Sequence, residues 1–239
     1  MKQHIPNLIT LLNLLLGCVA VVCIFEGNLS WVPWLVMAAA LADFADGLAA
    51  RLLKVSSPLG LQLDSLADMV TFGLVPGATM FQLLKIAYAG NEQTSMLWYL
   101  PGFLLTLFSA LRLAKFNIDS RQTDHFIGLP TPSNTLFVTS LIWVWQQNKF
   151  GMGDFLMQPA LLYGIILLFS YLLVAEIPLF SNKLKHFRIR GNEIRLIFVF
   201  SSLLLICLLS AAGIALAIIW YIILSIVSHY FIGDNISKK

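Results

Sequence analysis

The chain has 239 residues, of which 59% are hydrophobic and only 11% charged, and its mean hydropathy is +0.83. These figures exclude an ordinary soluble domain, a disordered chain and a disulfide scaffold, and point to an integral membrane protein. The net charge of +3 is small and its basic residues are scattered over loops, so no nucleic-acid surface is expected.

Taken in chain order, with about 20 apolar residues per crossing, the apolar runs predict helices at roughly 7–26, 31–53, 60–86, 96–117, 132–148, 158–180, 194–212 and 214–232. The expected fold is therefore all-α and polytopic, with about eight transmembrane helices. Turn-forming stretches separate the runs, among them Glu26-Gly27-Asn28, Ser56-Ser57-Pro58 and Leu129-Pro130-Thr131-Pro132. The final 194–232 stretch reads as a hairpin broken at Ala211-Ala212-Gly213. Met1 to Gln3 is too short and too weakly basic for a signal peptide, so the first span is expected to stay in the membrane. Cys18, Cys23 and Cys207 lie in apolar runs without metal-ligand spacing and read as packing residues.

Basic residues set the expected orientation, because short cytoplasmic loops retain positive charge. With the N-terminus inside, the cytoplasmic side collects Lys2, Arg51, Lys54, Arg112, Lys115, Arg121, Lys183, Lys185, Arg188, Arg190, Arg195, Lys238 and Lys239, leaving Lys85 and Lys149 opposite. Trp31, Trp34, Trp98 and Tyr99 fall at helix ends, where interfacial aromatics belong.

Asp43, Asp46, Asp64 and Asp68 lie inside the second and third apolar runs. An ionised Asp at membrane depth costs about 3 kcal/mol on insertion scales, so four together need compensation. Asp43, Asp46, Gly47, Ala50 and Arg51 share one helical face, as do Gly60, Asp64 and Asp68 on the next helix. A short 54–59 connection makes the helices antiparallel, so the acidic faces can converge, near the cytoplasmic end. With few basic residues to match them, divalent cations are the natural compensation. All-oxygen ligation suits Mg²⁺ or Mn²⁺ rather than zinc, and a phosphate-bearing substrate would complete the site. Gly47, Ala50 and Gly60 leave room for it, and Arg51 supplies a positive charge for a pyrophosphate.

The pattern Asp43-x2-Asp46-Gly47-x2-Ala50-Arg51-x8-Gly60-x3-Asp64-x3-Asp68 resembles the signature of the CDP-alcohol phosphatidyltransferase family. Pro6-Asn7-x2-Thr10 is similar to the family's segment ahead of its first helix. Ala110-Leu111-Arg112-Leu113-Ala114-Lys115-Phe116-Asn117 and Phe126-Ile127-Gly128-Leu129-Pro130-Thr131-Pro132 resemble its serine-using branch. The resemblance covers roughly residues 5–180. It implies a six-helix core, usually dimeric, that moves a phosphatidyl group from CDP-diacylglycerol to an alcohol and releases CMP. The implied metal ligands are Asp43, Asp46, Asp64 and Asp68, holding two ions, with Asp68 also the general base. Asn7, Thr10, Gly47, Ala50, Arg51 and Gly60 would bind CDP-diacylglycerol, and Arg112, Lys115 and Arg121 would receive L-serine. Residues 1–180 are then the catalytic membrane domain. Residues 181–239 would form a cytoplasmic basic loop and two further helices, and the whole is expected to be a homodimer in a bacterial inner membrane with its site facing the cytoplasm.

Competing readings stay open here. A transporter also carries intramembrane carboxylates, although typically near the midplane of internal repeats, and this chain has none. Within the family, glycerol 3-phosphate and inositol or its phosphate compete with serine. Arg112 and Lys115 could merely snorkel to the interface, His125 could be a solvated loop residue, and the Lys183 to Arg195 run could simply serve orientation or anionic headgroups.

Overall fold

The first helix, α1 (His4–Phe25), buries Pro6, Thr10, Asn13, Gly17, Ala20 and Ile24. Their alternating spacing of four and three marks a single inward stripe, and Leu8, Leu15 and Val22 lie on the outside. An outward apolar face is what lipid requires. The protein is described from a computed structural model covering residues 4–55, 57–90, 94–119, 125–180 and 193–228.

Helix α2 (Val32–Leu53) runs back along α1 and stops where Lys54 takes a left-handed conformation (φ 52°). There Val55 N–H donates to Ala50 O at 3.0 Å, satisfying one of the open carbonyls of the helix end. Three residues later Ser57 caps α3 (Pro58–Asp68), its Oγ accepting from Gly60 N–H at 3.0 Å. Serine before a first-turn proline is a strong helix start, and the tight link makes α2 and α3 antiparallel. Helix α3 continues through a π-helical turn, Met69–Leu74, into α4 (Val75–Ala87), so one span extends from Pro58 to Ala87.

Two short 3₁₀ turns, Met96–Trp98 and Leu100–Phe103, lead into α5 (Leu104–Ile118). Then follow β1 (His125–Ile127), α6 (Thr131–Gln147), the short α7 (Met152–Leu156) and α8 (Pro159–Val174), then β2 (Pro178–Phe180), α9 (Glu193–Leu209) and α10 (Ala211–Val227). The main apolar core joins α4, α5, α6, α8 and α10 through Leu84, Leu105, Val138, Ile166 and Tyr221, with Phe137 and Phe169 stacked at 4.0 Å. A second core joins α1, α2, α4 and α6 through Ala20, Ile24, Val36, Ala78 and Ile142.

Each of the eight predicted stretches contains helix, and the all-α membrane architecture holds. By length and composition, His4–Phe25, Leu29–Leu53, Pro58–Ala87 and Met96–Ile118 can each cross a membrane, and the bent pair of Lys149–Leu156 and Pro159–Val174 makes a fifth if it forms one span. Helix α6 has 17 residues, and Leu196–Leu209 and Ala212–Val227 are shorter apolar helices. Two expected boundaries move. The 158–180 helix ends at Val174, with Ala175 already extended, and residues 178–180 pair instead with 125–127 in an antiparallel ribbon, where Gly128 N–H donates to Ile177 O at 2.9 Å and Leu129 N–H to Leu172 O at 2.9 Å. The last hairpin turns at Ser210 (φ 54°), one residue before the predicted break.

Candidate active site

Helices α2 and α3 bring their acidic faces together as their spacing requires. One carboxylate oxygen each from Asp43, Asp64 and Asp68 lies within 4.8 Å of the others. Asp46 stands beside this trio rather than in it, buried and accepting a 2.6 Å hydrogen bond from Thr10 Oγ1. No Lys or Arg pairs with any of the four among the described residues. Arg51 instead donates its Nε to Gly47 O at 3.0 Å along its own helix. Three converging carboxylates without a protein cation are a donor set that fits a hard divalent ion. Asp64 and Asp68 lie six and ten residues beyond Pro58, the first residue of α3, about 9 and 15 Å along the helix from that end.

A cavity of about 430 Å³ opens beside the trio, between the N-terminal end of α1, the C-terminal end of α2 and the start of α3. It is lined by Pro6, Asn7, Thr10, Asp46, Gly47, Ala50, Arg51, Lys54, Val55, Ser57, Gly60, Leu61 and Asp64. All six residues expected around the donor are therefore on one wall system. The two glycines differ in why they are small. At Gly60 an added Cβ would lie 3.1 Å from Ser57 Oγ of the α3 cap and 3.2 Å from Asn7 Oδ1 of α1, so a side chain there would crowd both. At Gly47 nothing lies within 4 Å of an added Cβ; packing does not require glycine there, and a methyl would protrude into the cavity.

The residues expected to receive an acceptor sit elsewhere. Arg112 is buried, with 5% of its surface exposed, so it does not snorkel. Its Nε donates to Leu129 O at 3.2 Å, and its guanidinium lies 5.6 Å from the centre of the Phe116 ring. With Lys115, Asp119, Ile127, Leu173, Val174 and Glu176 it lines a second, small cavity of about 30 Å³. Asn117, from the same sequence motif, links α5 to α3 by donating from Nδ2 to Ser65 Oγ at 2.9 Å, one residue from Asp64. His125 lies in β1; its side chain, Arg121 and the basic run from Lys183 to Arg190 lie outside the described residues, as does the side chain of Arg195.

Sequence reasoning missed Asn13. Its Nδ2 reaches Asp68 Oδ1 at 3.3 Å across 55 residues, and it is fully buried. The signal was available, since Asn13 is a polar residue three positions after Thr10 on an otherwise apolar helix.

These features define a polytopic helical membrane protein with an acidic, cation-compatible site and an adjoining cavity at one end of its first three helices. Residues 3–176 match the family described as CDP-alcohol phosphatidyltransferase, and the chain belongs to that family. It is similar to the CDP-diacylglycerol–serine O-phosphatidyltransferase of Helicobacter pylori strain J99, 32% identical over 174 residues that cover 72% of this chain and 70% of that protein. The Bacillus subtilis strain 168 protein of the same name is 30% identical over 193 residues, 80% of this chain and 95% of its own. The Saccharomyces cerevisiae one is 31% identical over 156 residues, 59% and 54% respectively.

Proposed function

We propose that this membrane enzyme of phospholipid biosynthesis transfers the phosphatidyl group of CDP-diacylglycerol to the hydroxyl of L-serine, giving phosphatidylserine and CMP. The observation that carries the reading is that relatives from two bacterial species and a yeast bear the serine-using name, while Asp46, Gly47, Ala50, Arg51, Gly60 and Asp64 of the signature line one cavity and Asp43 and Asp68 meet Asp64 in the carboxylate trio. Neither glycerol 3-phosphate nor inositol appears in those names, and a transporter has no use for the Gly47, Ala50, Arg51 and Gly60 pattern.

In the proposed mechanism Gly47, Ala50 and Gly60 leave space for the CDP moiety, Arg51 meets a pyrophosphate oxygen, and Asn7 and Thr10 bound the pocket from α1. Asp43, Asp46, Asp64 and Asp68 would hold two Mg²⁺ or Mn²⁺ ions, with Asp46 oriented by Thr10. Such ions supply neutralisation of the pyrophosphate and of the departing CMP. The serine hydroxyl oxygen attacks the phosphorus that carries diacylglycerol. The bond from that phosphorus to CMP breaks, and Asp68 takes the hydroxyl proton. Attack is direct, the simpler route, with no covalent enzyme intermediate. Arg112 and Lys115, with Arg121, would hold the serine carboxylate. The enzyme would work as a homodimer in a bacterial inner membrane with the cavity open to the cytoplasm, where residues 1–180 form the catalytic domain.

The test is CMP release from CDP-diacylglycerol by purified protein against a panel of alcohols. Serine should be preferred; faster release with glycerol 3-phosphate or inositol would overturn the acceptor, and no release with any alcohol would overturn the reaction.

A further inference from the structure

The π-helical turn Met69–Leu74 begins at the residue after Asp68. A π-turn displaces carbonyls from their usual helical partners, and here side chains from two neighbouring helices meet them. Thr135 Oγ1 of α6 donates to Phe72 O at 3.0 Å, and Thr106 Oγ1 of α5 donates to Gly73 O at 2.9 Å. The turn also aims Thr71 at α1, where its Oγ1 donates to the backbone carbonyl of Asn13 at 3.1 Å. A Cβ at Gly17, one helical turn on from Asn13, would lie 3.0 Å from Thr71 Cα, so the two helices touch backbone to backbone at this level.

Asn13 then closes the loop of contacts. Its Nδ2 donates to Asp68 Oδ1 at 3.3 Å, while its own Oδ1 is buried without a hydrogen-bond partner. A helix that buries Ala20 and Ile24 on the same stripe could place an apolar residue here and avoid an unsatisfied amide, which burial penalises. The amide is retained at a cost to stability, and its one polar contact is with Asp68. It is also neutral. A Lys or Arg at this position would occupy the carboxylate as a counter-ion; an amide fixes one oxygen and leaves the negative charge and the second oxygen available.

We propose that Asn13 is a positioning residue for Asp68, held in register by Thr71 of the π-helical turn. It fixes the rotamer of the carboxylate so that the oxygen not bound to Asn13 faces the acceptor hydroxyl and the carboxylate trio. The inference rests on the reading of Asp68 as general base.

Its test is a set of variants purified and assayed for CMP release with serine, alongside equilibrium binding of CDP, which reads the donor cavity without turnover. Asn13→Leu should lower kcat by about 10- to 100-fold, as loss of an orienting partner does, with KM for CDP-diacylglycerol and CDP binding within about twofold. Wild-type kcat, or an equal loss of CDP binding, would overturn the proposal. Should Asn13→Leu not fold, Thr71→Val and Thr71→Ser decide. Loss of kcat in the first and its recovery in the second supports the register role, and equal kcat in both overturns it. Asp68→Asn, measured in parallel, separates the two readings. Near-normal turnover of that variant removes Asp68 as the base, whereas its severe loss with an unaffected Asn13→Leu overturns the positioning role alone.

Discussion

The two halves of the span Pro58–Ala87 are built on opposite terms. In α3 only Ala67 is buried, and Leu59, Leu61 and Leu66 face outward with more than 60% of their surface exposed. In α4 nine of thirteen residues are buried, from Val75 through Leu84. The second half is held by dense packing, with Gly102 so close to α4 that an added Cβ would lie 3.0 Å from Gly77 O. The first half is held by directed polar contacts: Ser57 to Gly60, Asn117 to Ser65, Asn13 to Asp68. The π-helical turn is the joint between them. A reaction site needs space and charge, which a close-packed core excludes, so the span spends its apolar residues on α4 and leaves α3 open beside the cavity.

The sharpest way to break this contrast is to remove the divalent cation. Exhaustive chelation should abolish CMP release, a loss of several orders of magnitude, because the carboxylate trio would lack its compensating charge. Helical content by circular dichroism should stay unchanged, since α4 and its neighbours carry the packing. Undiminished turnover in the chelated enzyme would refute the cation requirement.

A smaller effect is expected at Gly47, where space rather than packing sets the residue. Gly47→Val should raise KM for CDP-diacylglycerol by about tenfold or more, equivalent to about 1.4 kcal/mol of lost donor binding, while the thermal midpoint moves little. A large drop in thermal midpoint would show that Gly47 serves packing after all.

In the packed half the effects reverse. Leu84→Ala should cost about 2–5 kcal/mol of unfolding free energy through the cavity it leaves, yet kcat and KM of the folded fraction should stay within about twofold of the parent. Donor affinity lost in step with stability would mean that the halves are one cooperative unit rather than a site joined to a scaffold.

Much of this arrangement was legible in the residues. The spacing of Asp43, Asp46, Gly47, Ala50 and Arg51 put one face together because a helix repeats every 3.6 residues, and the Ser57-Pro58 pair marked the start of α3. Asn13, by contrast, was passed over as part of an apolar run. Only its neighbour across the helix interface, 55 residues away, gives it meaning. Arg112 was readable as a cation at a helix end, but its burial and its bond to Leu129 O depend on how the 128–129 backbone folds against α8.

The sequence by itself determined the solvent, the helical stretches, the acidic faces and the family, because hydropathy, helical period and signature spacing are local properties of the chain. The tertiary structure alone decided that Asp46 binds Thr10 beside the trio, that a π-turn follows Asp68, that α8 gives way to a ribbon with residues 125–127, and that Arg112 lines a second cavity. Each of these depends on contacts between segments distant in sequence, whose geometry is fixed by packing and by the need to satisfy buried polar groups, and neither leaves a periodic trace in the order of residues.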